Sequence, residues 1–195
     1  VGTEDSPFPC DKSFTFTFAG AIGSEDRHGY GAGSDSVPLG NKTIASLGRL
    51  SLVGCEVPKN YFRLAATSQI GGNTLTLTAE PTGWKVGDSI FVTGTAWSDV
   101  EAEYLTITDI TGTVITVAET FAFQHLGTAD TDENFGFKQA AEVGLLTKNI
   151  KIDGTSGSEG EKYGGRVLVT GAPFGEIYRQ GHATIANVEF VGMGQ

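Results

Sequence analysis

The chain's 195 residues hold a few groups of side chains whose types and spacing could do chemistry. The densest is WSDVEAE, Trp97 to Glu103, where Asp99, Glu101 and Glu103 stand beside an indole ring. Aromatic rings stack on sugars, and a pair of carboxyl groups is what acid/base cleavage of a glycosidic bond needs, provided the two face each other across the sugar, roughly 5 to 9 Å apart. Alternate residues of a strand share one face, so Glu101 and Glu103, with Asp99 joining them, would repel rather than divide the two roles. A strand-edge acidic turn is the plainer reading. A second group, Glu25, Asp26, His28 and Asp35 in the loop Gly20–Ser36, offers the oxygen ligands a hard cation takes. Its spacing matches no metal motif, and a solvated surface loop between coils is the plainer reading. His125 in FQHLG, and His182 in YRQGHATI with Arg179 nearby, are the remaining candidates. On a polysaccharide-cleaving groove they would transfer protons and bind sugar carboxylates. Nothing has the spacing of a Ser/His/Asp triad, a zinc site or a phosphate-binding loop.

The elements that must position these groups are strands. Short apolar/polar alternations at Asn73–Ala79, Ser89–Thr93, Tyr104–Ile110 and Thr113–Val117 are each closed by Gly, Pro or Asp, the pattern of half-buried strands between turns. One strand-turn unit cannot bury its own apolar face, so such units must stack as a solenoid or pair into a sandwich. Phe14, Phe16 and Phe18 alternate on one strand face and are expected to fill the interior as a stack. Trp84 reads as core or cap, with Asp88 bonding the turn backbone. Gly83, Gly87, Gly164, Gly165 and Gly192 fall where tight turns would need positive φ. Asn149 and Asn187 suit polar ladders between coils.

Five segments also carry a resemblance: GWKVGDSIFV (Gly83–Val92), AEYLTITDI (Ala102–Ile110), HLG (His125–Gly127), EVGLLTKNIKIDG (Glu142–Gly154) and ATIANVEFVGMGQ (Ala183–Gln195). In this order they resemble the extracellular family of fibrocystin, fibrocystin-like protein and the related cell-surface hyaluronidases. GTEDSPFPC (Gly2–Cys10), LGNKTIASLGRLSLVG (Leu39–Gly54) and FRLAAT at Phe62 are similar to the later half of that family's glycine-rich domain, named for its eight glycines. The resemblance implies an all-β, right-handed parallel β-helix, with residues 1–127 as the later part of the glycine-rich domain and 128–195 as following coils of one body. A β-sandwich is the structural alternative, though no Cys…Trp…Cys pattern supports it. Glu103 and His125 fall inside family-like motifs, which favours packing or turn-fixing hydrogen bonds over catalysis.

Composition narrows the classes. A net charge of −10, with no Lys/Arg-rich patch, repels a phosphate backbone and excludes nucleic-acid binding. No apolar run is long enough to span a membrane. Cys10 and Cys55 would join neighbouring coils in an oxidising compartment, the chain-entropy term being on the order of 4 kcal/mol. Two reduced, buried thiols are the alternative. Asn41-Lys42-Thr43 is the single N-glycosylation sequon.

The reading that follows is a structural and recognition module of a large extracellular or cell-surface protein, with a hyaluronidase-like hydrolase or lyase as the alternative. Its expected partners are other coils of the same parent protein, glycans or extracellular proteins. No cofactor is expected, calcium being the one cation that the acidic loop would take.

Overall fold

The computed structural model describes residues 1–20, 29–30, 37–38, 42–128, 139–155, 163–174 and 177–194. In chain order the first strands are β1 (Phe14–Thr17), β2 (Gly29–Tyr30), β3 (Val37–Pro38), β4 (Thr43–Ser46) and β5 (Arg49–Val53). There follow β6 (Tyr61–Arg63), β7 (Thr74–Thr76), β8 (Ser89–Val92), β9 (Glu103–Thr111), β10 (Val114–Val117) and β11 (Glu142–Leu145). The last are β12 (Ile150–Asp153), β13 (Arg166–Val169), β14 (Gly171–Phe174), β15 (Ile177–Gln180), β16 (His182–Ala186) and β17 (Val188–Val191). Among the described residues the one helical element is a single 3-10 turn, Asp99–Glu101, so the chain is all-β as expected. No helix is long and apolar enough to cross a membrane among the described residues.

The chain divides into two compact units, one of residues 1–56 with 148–195, the other of residues 57–147. In the first, β1, β4 and β5 pair in parallel with β12, β13 and β16, so the chain order of one set recurs in the next. β17 adds to β12 in the same sense, and Met193 bridges Gly165. Side chains therefore stack in columns, one being Phe16, Ile152 and Phe190. Ile152, in the middle, is 1% exposed, whereas Phe16 and Phe190 are 41% and 40% exposed. The expected phenylalanine stack thus fills the interior at Phe18, which is buried against the Phe16 ring edge at 5.1 Å, but not at Phe16 itself. A mid-column residue has a neighbour on both sides; among the described residues β1 pairs only with β12.

Glycines make the corners of this unit. A Cβ on Gly154 would lie 2.3 Å from both the Gly165 nitrogen and the Gly192 oxygen, and one on Gly54 would lie 2.2 Å from the Asn187 oxygen. Backbone here packs on backbone, which leaves room for no side chain. Gly192 has the positive φ expected of it, +59°, while Gly164 and Gly165 are required instead by close approach. Cys10 and Cys55 form a disulfide with their Cα atoms 5.0 Å apart. Beside it, the Asn149 amide donates to the Pro9 and Lys12 carbonyls while its oxygen accepts from the Cys55 N–H at 2.8 Å.

The second unit corrects the parallel-coil expectation for the stretch that displays the alternation most clearly. Its strands form a six-stranded sheet in the order β6-β11-β8-β9-β10-β7, and every pairing is antiparallel. Alternation requires one buried face but says nothing of strand direction; short turns such as Gly112 between β9 and β10 reverse the chain and set the direction here. The sheet curls until its edges meet at the antiparallel Leu64↔Leu77 bridge. Closure gathers Phe62, Leu64, Leu75, Ile90, Val92, Leu105, Ile107, Ile115 and Val117 into one core. Trp84 lies within it, edge-on to Phe62 at 5.4 Å, its indole N–H donating to the Lys59 carbonyl. Asp88 accepts from the Lys85 N–H at 2.8 Å, fixing the turn in which Gly83 and Gly87 have φ of +90° and +91°.

Candidate functional site

The structure brings together two of the candidate acid/base residues, Glu103 and His125. Glu103 opens β9 opposite Val92 and is in phase with the buried Leu105, so its carboxylate turns into the closed sheet. His125 is held by a two-way backbone pairing with Ser68 and is fully buried, its ring edge-on to Phe121 at 5.9 Å. Its Nε2 lies 2.7 Å from Glu103 Oε2, and its Nδ1 lies 2.9 Å from the Thr93 carbonyl oxygen. A carbonyl only accepts, so Nδ1 carries a hydrogen and donates it. Glu103 also accepts from the backbone N–H groups of Ala122 and Phe123, at 2.9 and 3.3 Å. Both ring nitrogens are thus engaged, and the carboxylate is shared between imidazole and backbone. The arrangement ties the 121–127 segment to β8 and β9.

Around this pair lies a polar shell. Thr95 Oγ1 accepts from the Leu126 N–H at 3.1 Å, the Gln139 amide donates to the Thr95 carbonyl, and the Gln124 amide donates to Gln69 Oε1 at 2.8 Å. Glu101 does not share a strand face with Glu103. Asp99–Glu101 forms the 3-10 turn, β9 begins only at Glu103, and the Glu101 side chain packs over Gly94. Trp97 beside them is fully exposed.

The other candidates are apart from this pair in sequence and in fold unit. Arg179 lies on β15 opposite Ala172 of β14, and His182 opens β16 beside Arg49 of β5; both are exposed. Glu25, Asp26, His28 and Asp35 of the acidic loop lie outside the described residues, as does Asn41 of the sequon. Among the described residues no three His, Cys, Asp or Glu side chains are grouped to hold a metal.

Lys42, the middle residue of the sequon, was not legible as a site residue. It is 1% exposed, and its ammonium donates to the carbonyls of Gly154 and Tyr163, both at 3.0 Å, beneath the Tyr163 ring. A charged side chain between two apolar-patterned strands gives no signal of burial; only the tertiary placement of those two carbonyls provides one. Asp153, next to this clamp, has its carboxyl held below the ordinary value by the Thr155 hydroxyl and N–H, with Lys151 and Lys42 adding their charges. In the other unit burial pushes the Glu119 carboxyl up, but hydrogen bonds, including those from the Thr106 N–H at 2.7 Å and hydroxyl at 3.0 Å, outweigh it and leave it lowered.

Fold and site together define a class: a disulfide-bonded all-β protein whose polar cores serve as internal ties. Its homologues are fibrocystin, fibrocystin-like and G8 domain proteins, so the chain is a member of that family by sequence. It is 36% identical to human Fibrocystin-L over 82% of its own length and 29% identical to a G8 domain-containing protein of Dictyostelium discoideum over 94%. It is 35% identical over 44% of its length to the human cell surface hyaluronidase CEMIP2. The chain spans 4%, 14% and 6% of those relatives respectively. No family model matches. Among solved structures, the Pseudomonas phage phi297 tailspike gp61 superposes with a TM-score of 0.37 at 14% identity, covering 77% of this chain and 23% of the tailspike.

Proposed function

We propose that the chain is a structural and recognition module of a large extracellular or cell-surface protein, and that its first unit is a short stack of right-handed parallel β-helix coils. Support for the coils comes from the recurring strand order, β1-β4-β5 and then β12-β13-β16, each set lying parallel on the last. Right-handedness follows the general rule for crossovers between parallel strands. The second unit is then an antiparallel module whose residues 57–147 interrupt the first unit in the chain. The module's partners are further coils of the parent protein, together with extracellular proteins or glycans that meet its loops. It needs no cofactor, and calcium is the cation to test at the acidic loop.

The observation that carries the scaffold reading is the His125–Glu103 pair. The most plausible proton-transfer residues are buried and fully engaged in holding backbone, so a substrate could use them only by breaking the core. The alternative, a hydrolase or lyase acting on polysaccharide, draws on the relative named as a cell surface hyaluronidase. The deciding assay incubates the purified chain, with and without calcium, with hyaluronan and with neutral glycans, and follows glycan length by size-exclusion chromatography. Unchanged lengths are expected. Shortening that co-elutes with the protein and disappears on His182→Ala or Glu103→Gln would replace the scaffold reading with the enzymatic one.

A further inference from the structure

The outer face of the six-stranded sheet carries one row in which Tyr61 of β6, Gly144 of β11, Phe91 of β8 and Tyr104 of β9 are direct register partners across four neighbouring strands. Their strand neighbours Phe62, Val143, Ile90 and Leu105 are buried, so alternation turns this row outward. Tyr61 is 56% and Tyr104 76% exposed. Gly144 is the floor between them: a Cβ there would lie 2.2 Å from the Phe91 ring, so that ring leans across the neighbouring strand with nothing beneath it but backbone. Cross-strand aromatic pairs help to hold a sheet, but that role leaves most of the Tyr61 and Tyr104 rings open to a ligand.

We propose that this row is a binding site for an uncharged polysaccharide, an inference that rests on the recognition-module reading and gives it a surface and a ligand class. The shape argues against a protein partner. Three strand steps of about 4.8 Å make the row roughly 14 Å long, and same-face neighbours along a strand are only about 7 Å apart. The exposed surface of Tyr61 and Tyr104 is about 200–330 Å², below the roughly 800 Å² per partner of a stable protein interface. It is a stripe, bounded by Arg63 and Glu142 on one side and by Ser89 and Thr106 on the other. A linear chain of pyranose rings fits that pattern, its C–H faces on the aromatic rings and its hydroxyls on the flanking polar groups.

Charge selects an uncharged ligand. Arg63 is paired with Glu142 at 3.6 Å, and the Lys59 ammonium sits 5.4 Å from the Tyr61 ring centre and 4.8 Å from that of Phe62. With the Glu119 carboxylate on Thr106 at the other border, these two positive and two negative charges balance in number, on a chain of net charge −10 that repels polyanions.

Affinity electrophoresis of the whole chain in gels containing neutral β-glucan, and separately hyaluronan, tests the site. Mobility is expected to fall with neutral glucan, with the apparent dissociation constant rising at least tenfold in Tyr61→Ala and in Tyr104→Ala. Tyr178→Ala, an exposed tyrosine of the other unit, should leave it unchanged. Circular dichroism confirms that each variant is folded, and Tyr61→Phe, which keeps the ring, should retain binding. Glucan binding that survives the Tyr61→Ala/Tyr104→Ala double variant, or retardation by hyaluronan alone, overturns the aromatic-row site while leaving a glycan-recognition module standing. Retardation by neither polymer overturns the row and removes glycans from the module's ligands together.

Discussion

The two units solve one problem, burying half of an alternating strand, in opposite ways. The first lays strands in parallel columns, and its end members Phe16 and Phe190 remain partly open to water. The second turns its strands back on one another and closes the sheet at Leu64↔Leu77, leaving its core complete. Their polar ties differ accordingly. Parallel crossovers bring distant backbone together, and Lys42, Asn149 and the Cys10–Cys55 disulfide fasten those crossovers. In the second unit the segment that follows β10, residues 118–128, is secured against the strands by His125 with Glu103. Closure places the stability of the second unit inside it, whereas the first depends on cross-links at its corners.

The largest effect expected from breaking that contrast is at His125. His125→Ala leaves the Thr93 carbonyl and the Glu103 carboxylate without their partner in a buried setting, which costs about 3–5 kcal/mol. Urea unfolding should show the loss, and hydrogen exchange should confine the faster-exchanging amides to residues 57–147. Glu103→Gln preserves an acceptor for a ring N–H and should cost less. Undiminished stability in His125→Ala would show that the pair is not a tie.

Next comes the disulfide. Its removal by Cys10→Ser with Cys55→Ser should destabilise by about 2–4 kcal/mol, and the exchange should quicken in residues 1–56 and 148–195 instead. Equal quickening in both units would contradict the assignment of this cross-link to the first alone.

How far all this was legible in the sequence depended on which interactions are local. Alternation and Gly/Asp punctuation gave β7, β8, β9 and β10 of the second unit but not β6 or β11, and Trp84, Asp88, Gly83 and Gly87 were readable because their turn is local, closed between Lys85 and Asp88. Strand direction was not, since parallel and antiparallel partners impose the same period of two. The parallel pairs were still less visible: Phe14 meets Ile150, and the whole second unit intervenes in the chain. At the site, Glu103 and His125 stood out by type, but their mutual contact depends on sheet closure. Glu101 was misplaced on the strand because the 3-10 turn, which has no side-chain cap, breaks the alternation at Ala102. Tyr61, Phe91 and Tyr104 did carry a signal, aromatic residues in the polar phase of three strands, that becomes a row only once register is known.

A pair of glycine substitutions sharpens the comparison at a smaller scale. Gly154→Ala forces a methyl group into the backbone of Gly165 and Gly192, an overpacking that costs about 1–3 kcal/mol. Gly87→Ala meets nothing within 4 Å but must hold a φ of +91°, which costs about 1–2 kcal/mol. Gly87→Asn, which tolerates left-handed backbone better, should recover part of the second loss, while Gly154→Asn should be worse than Gly154→Ala. Thermal unfolding of the four variants checks both orderings.

The smallest effect is acid sensitivity, and one carboxylate in each unit reports it. Asp153 and Glu119 are both lowered from ordinary values of 3.8 and 4.5, so each binds a proton less readily folded than unfolded. Their contribution to stability is present in full above those ordinary values and is lost as pH falls through the lower, folded-state values. For Asp153 the hydroxyl and then the N–H of Thr155 are the main causes, so Thr155→Val, which removes only the hydroxyl, should flatten the acid limb of unfolding in part in the first unit and leave the second unchanged. For Glu119, where burial opposes the hydrogen bonds, Thr106→Val removes the hydroxyl but not the N–H and should flatten the acid limb only in part. Both carboxyls are only partly buried, so solvent screens them and each change should be a fraction of the disulfide's effect. Unfolding followed at pH 3 and pH 6 by exchange in each unit separates them; a Thr155→Val effect on the second unit would show that the two fold as one cooperative body.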